Sequence, residues 1–128
     1  MIQTAEMIVG EQENVGFINF TYGDSFMDLK EKYQNEIQKL DCSKGVLIMV
    51  DLFGGTPFNV IAMLAHEDAN MEVISGVNIP MLVETFISRE LLDLNALLLN
   101  AERAGRNGIT TFVRKIIQEV ESERGDEL

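Results

Sequence analysis

Apolar positions along the chain alternate between two spacings, and the switch from one to the other marks out its elements. Phe26, Leu29, Tyr33, Ile37 and Leu40 recur at the helical period, with Asp24 or Ser25 ahead of them as a cap. Val46–Val50 is an unbroken apolar run. It predicts a strand reaching Leu52, buried on both faces as in a parallel sheet. Val15–Phe20 (VGFINF) and Glu72–Ser75 (EVIS) read as shorter strands. Helical spacing returns from Phe58 to about Ala65 and from Ile79 to Ile87. It returns once more behind Asp93, through Leu94, Leu97, Leu98 and Ala101, with a stop expected near Gly105. The stretch Ile109–Val120 is ambiguous: ITTFV favours a strand, VRKIIQEVESE an amphipathic helix. Strands alternating with helices in units of roughly 25–30 residues predict β-α-β crossovers. The expected fold is therefore α/β, a mostly parallel sheet flanked by helices, in one domain spanning residues 1–128. The opening is unusual for that class. Ile2, Ala5 and Val9 already carry helical spacing at the point where a strand is expected.

Composition narrows the function. Ten basic residues stand against 21 acidic ones, a net charge of −11 with no Lys/Arg cluster. Nucleic acid and anionic membrane surfaces are therefore disfavoured as partners, while a basic protein partner is welcome. No apolar run approaches the ~20 residues of a membrane span, and no secretory signal is visible. With its single cysteine, Cys42, the sequence points to a cytoplasmic protein with an unpaired thiol. No metal-ligand spacing or cofactor motif is present, and none is expected.

The chemistry concentrates in GVLIMVDLFGGTPFNVI (Gly45–Ile61). In a parallel sheet all strand C-termini lie at one edge, where ligands bind. Asp51 falls at that edge. Gly54 and Gly55 allow positive φ and close backbone approach, Thr56 suits an N-cap and Pro57 a first helical residue. A helix start with free N–H groups favours an anion. A carboxylate beside it would repel one, so Asp51 better suits holding a neutral imidazole through one ring nitrogen and leaving the other as nucleophile. The plain packing alternative is a tight strand-to-helix turn with Thr56 as a cap and Asp51 in a local turn bond. The loop is neither a Walker A nor a G-x-G-x-x-G motif. A second loop, Ser75–Leu82 (SGVNIPML), repeats the design at the same edge, with Asn78 as cap and Pro80 early in the next helix.

Three blocks, GEQENVGFINF (Gly10–Phe20), KGVLIMVDLFGGTPFN (Lys44–Asn59) and SGVNIPMLVET (Ser75–Thr85), closely resemble the mannose-class EIIA domain of the bacterial phosphoenolpyruvate-dependent sugar phosphotransferase system. The resemblance implies a homodimer that exchanges a C-terminal antiparallel strand. It implies a phosphoryl relay from the phosphocarrier histidine protein, through an EIIA histidine, to the EIIB domain and the incoming sugar. By position, Asp51 would orient the imidazole and Thr56, Gly54 and Gly55 would receive the phosphate. Phe53, Asn78 and Pro80 would form the pocket wall. In the family the histidine follows the first strand, in a motif like THG, ahead of the first helix. TAEMIVGEQENVG resembles the end of that helix, so Met1 would be one of its internal methionines and the chain an N-terminally truncated EIIA. The sequence's one histidine, His66, lies ~12 Å along a helix from the anion site, too far to substitute. The alternative reading is a non-catalytic EIIA-like binding or regulatory module.

Overall fold

The computed structural model describes residues 1–52, 54–112 and 118–123. Its elements run α1 (Ile2–Val9), α2 (Phe26–Gln38), β1 (Val46–Val50), α3 (Gly55–Glu67), β2 (Met71–Ser75), α4 (Ile79–Ser88) and α5 (Leu94–Asn107). The architecture is mixed α/β: β1 and β2 pair in parallel, with Val46 opposite Met71 and Val50 opposite Ser75, and helices flank them.

Local chemistry accounts for most boundaries. Ser25 caps α2 through a reciprocal box with Asp28, which satisfies two backbone donors at once. Asp93 accepts from the Ala96 N–H at 2.8 Å and starts α5. Asn78 does the same for Met81 at 3.0 Å, with Pro80 in the first turn of α4. The hydrophobic stripe of α2 turns Leu29 and Tyr33 inward. There they join Val50, Val60, Ile61 and Met71 on one face of the sheet. Leu29, Val60 and Ile61 are fully buried, each contributing about 1.5–3 kcal/mol by area. The opposite face is covered by a second cluster of Ala5, Leu82 and Phe86, with Met49 and Val77 packed against it. Successive residues of β1 thus serve two cores, which is why its sequence is apolar throughout.

Three expectations are corrected. Val15–Phe20 forms no strand: no described strand lies beside it to complete a ladder, so β-propensity alone does not organise it. Ile18 still reaches the first core, while Phe17 and Phe20 face solvent. Helix α3 begins at Gly55 with Gly54 as its cap, so Thr56 is not the cap and makes no capping bond. Strand β1 ends at Val50 and does not reach Leu52, since its ladder partner β2 ends opposite it at Ser75, while α5 runs to Asn107, close to the expected stop. Of the ambiguous C-terminal stretch, residues 109–111 are irregular and 118–123 helical, while 113–117 lie outside the described residues. Among the described residues the two outer edges of the sheet are unpaired and there is no antiparallel strand.

Candidate functional site

Both predicted loops leave the same edge of the sheet. Val50 and Ser75 are register partners at the ends of β1 and β2, so the chain segments that follow them start side by side. The Val77 N–H donates to the Val50 carbonyl at 3.2 Å and ties the second loop to the residue just before Asp51. Asp51 and Thr56 are both open to solvent. Between them the backbone turns through positive φ at Gly54 (82°) and Gly55 (78°), the left-handed conformation that glycine adopts without strain. No side-chain hydrogen bond caps α3 at Gly54, and the positive end of its helix dipole lies at Gly55 and Thr56. Pro57 falls within that turn, where its missing N–H costs nothing.

Beneath the loop stands Tyr33, which the sequence marked only as one member of an apolar stripe. Its ring belongs to the core under Val50, and its hydroxyl lies 3.5 Å from the Pro57 carbonyl. Burial pushes the phenol above its usual range, and the nearby negative charge of Asp51 adds to the shift. Tyr33 therefore reports that strand end, carboxylate and helix start share one neighbourhood.

The second loop contributes structure more than free chemistry. Asn78 uses its Oδ1 to cap α4 and its Nδ2 to donate to the Gly105 carbonyl at 3.0 Å. Pro80 is exposed, and a Cβ at Gly108 would collide with its ring. On the α5 side of this loop a cavity of about 420 Å³ opens between Ser75, Asn78, Met81, Leu98, Leu99 and Phe58. Phe53 lies outside the described residues. His66 is exposed in the last turn of α3, about 15 Å along the helix axis from Thr56. Neither loop brings together a metal-binding group of three or more His, Cys, Asp or Glu among the described residues. Among those residues, too, no helix is long and apolar enough to cross a membrane.

The edge therefore joins a carboxylate, a glycine turn and an uncapped helix start on an α/β scaffold, an arrangement suited to an imidazole and a phosphoryl group. Residues 1–102 match the family model EIIA-man, described as PTS system fructose IIA component, and the chain belongs to that family. It is 44% identical over 119 residues to the mannose-specific EIIAB component of the phosphotransferase system from Escherichia coli K12, covering 92% of this chain and 37% of that protein. The chain thus spans little more than a third of that relative's length. It is 33% identical over 129 residues to the fructose-specific EIIA component from Bacillus subtilis 168, covering 98% and 88% of the two chains. Among solved structures, the EIIA component from Streptococcus agalactiae superposes with a TM-score of 0.78 at 35% identity, covering 88% and 86% of the two chains.

Proposed function

We propose that this chain is the EIIA component of a cytoplasmic sugar phosphotransferase relay, passing phosphate from the phosphocarrier histidine protein to an EIIB domain. One observation carries the reading: Asp51 and the uncapped start of α3 stand at one sheet edge, separated by two glycines in positive φ. Asp51 accepts the N–H of an acceptor imidazole and fixes its tautomer, leaving the second nitrogen's lone pair for the phosphorus. The new N–P bond forms as the donor's N–P bond breaks, and the donor imidazole leaves with the electron pair. The transferred oxygens are held at the Gly55 and Thr56 end of α3, where donor groups are already oriented. The relatives' names carry mannose, fructose and sorbose, and the site singles out none of these sugars.

The acceptor imidazole is not that of His66, which is the sequence's one histidine and sits at the wrong end of α3. That distance also favours a second reading for residues 1–128 by themselves, a module that docks its partners without carrying phosphate. A homodimer with an exchanged C-terminal strand is supported by three features. The outer edge of β2 is unpaired among the described residues, Leu98 and Leu99 flank the cavity, and Ile109 and Phe112 are left exposed where the chain leaves α5.

The test combines residues 1–128 with Enzyme I, the phosphocarrier and phosphoenolpyruvate, read by phosphorus NMR and mass spectrometry. No phosphohistidine is expected at His66, and labelling there would overturn the assignment. In a form of the domain that carries the family's acceptor histidine, Asp51→Ala should slow phosphorylation on the order of 10²-fold. An unchanged transfer rate would refute the orienting role.

A further inference from the structure

We propose that Asn78 is a positioning residue for this site, a clamp that joins α4 to α5 and thereby sets where Asp51 stands. The inference rests on Asp51 being the carboxylate that orients the imidazole. It assigns Asn78 a role that the pocket-wall reading does not contain.

Both ends of the Asn78 amide are in use. Oδ1 accepts from the Met81 N–H at 3.0 Å, and Nδ2 donates to the Gly105 carbonyl at 3.0 Å across 27 residues of chain. Its neighbour Val77 donates its N–H to the Val50 carbonyl at 3.2 Å, and Asp51 is the next residue after Val50. The path from the last turn of α5 to Asp51 therefore consists of two hydrogen bonds and short stretches of backbone. The Val77 side chain is itself anchored in the cluster of Ala5, Leu82 and Phe86, so the second loop is held on both sides. Two glycines let α5 come close enough for the clamp. A Cβ at Gly105 would meet Met81 Cε at 2.7 Å, and one at Gly108 would meet the Pro80 ring.

Asn is matched to this task by chemistry. Serine or aspartate can cap a helix equally well, but aspartate has no donor and the serine hydroxyl is short, so the carboxamide is the group that accepts from α4 while donating to α5. Asn78→Asp keeps the cap and adds charge that the helix dipole favours, yet it turns the donor facing the Gly105 carbonyl into an acceptor. Asn78→Ser keeps the cap and is too short to reach Gly105. The two variants thus remove the clamp in different ways and leave the helix start intact.

The experiment is NMR on the full chain with isotopic labels. In both variants the Val77 amide should exchange with solvent about tenfold faster, the change expected for losing the support of about one hydrogen bond. The Asp51 carboxyl carbon resonance should move with it, a signature that simple loss of α4–α5 packing would not produce. If one variant fails to fold, the other reads the same two signals. In the wild type, scalar coupling across the Val77–Val50 hydrogen bond should be observed, and its absence overturns the proposal. Unchanged Val77 exchange and an unmoved Asp51 resonance in a folded variant also overturn it. No phosphate is used, so failure to relay phosphate counts against the proposed function, whereas an unmoved Asp51 counts against the clamp.

Discussion

Gly105 and Gly108 lie one turn apart at the end of α5, and substituting each by alanine should give opposite results to those suggested by burial. Gly105 is buried and Gly108 is exposed, so a rule based on accessibility predicts that Gly105→Ala is the more damaging. The contacts say otherwise. At Gly105 the new methyl meets Met81 Cε at 2.7 Å, the far end of a side chain with three rotatable bonds that can swing aside. Alanine also gains about 0.8–1 kcal/mol over glycine inside a helix. The two effects nearly cancel, leaving a change within about 1 kcal/mol. At Gly108 the methyl runs into two atoms of the Pro80 ring and falls 3.3 Å from the Ala104 carbonyl. Normal carbon contacts are about 3.5–4.0 Å, and the pyrrolidine ring cannot rotate away. Either α5 or the start of α4 must shift, an overpacking cost of about 1–3 kcal/mol. Part of it is offset by the smaller unfolded-state entropy of alanine, about 0.4–1 kcal/mol. Urea unfolding of both variants beside the wild type measures the difference. Gly108→Ala should have the lower midpoint, with an unchanged slope in both. A lower midpoint for Gly105→Ala would refute the reasoning that rigidity of the struck group, not burial, decides the outcome.

Three further outcomes are expected. Arg89 donates to the backbone carbonyls of Glu13 and Asn14 and to the Gln12 side chain, with its guanidinium 5.4 Å from the Phe86 ring centre. Arg89→Ala should cost about 1–2 kcal/mol and raise proteolysis within residues 10–14, since the freed carbonyls regain water but the loop loses its anchor. The Lys32 ammonium beside Asp24 is the main cause holding its carboxyl below the usual value, with the Thr21 N–H assisting. A depressed folded-state pKa means that this contribution is present above the ordinary carboxylate value and lost as pH falls through the folded one. Lys32→Met should therefore move the Asp24 titration upward by carbon NMR and weaken that acid dependence. Burial pushes the Cys42 thiol up, and Asp41 and Asp68 add to the effect, so the thiol should react slowly with a disulfide reagent at neutral pH. Its rate should rise sharply in urea, and equal rates in both conditions would contradict the placement.

Much of the scaffold was legible because its signals are local. Ser25, Asn78 and Asp93 announce their helices by side-chain chemistry that needs nothing distant, and the apolar run of β1 announces a strand covered on both faces. The features missed are those decided by tertiary contacts. VGFINF has every local reason to be a strand, but a strand exists only when another lies beside it. The glycine turn was placed correctly in the chain, yet the cap shifted from Thr56 to Gly54 because two successive positive-φ residues start the helix earlier than side-chain preference suggests. At the site, Asp51 and the helix start could be read from the sequence, whereas Tyr33 beneath them and the Val77–Val50 tie could not. Both are contacts between residues far apart in the chain, and neither residue type is distinctive.

The edge carrying Asp51, the glycine turn and the Gly76–Met81 segment is proposed as the place where phosphotransfer partners meet this domain. The most direct measurement is an NMR titration of the labelled chain with the unlabelled phosphocarrier histidine protein. The amides of Asp51, Gly54, Gly55, Thr56 and residues 76–81 should move first and furthest, with weaker effects at higher salt. Absence of perturbation there, or perturbation confined to the opposite edge around Asn14, Asp41 and Arg89, would contradict it.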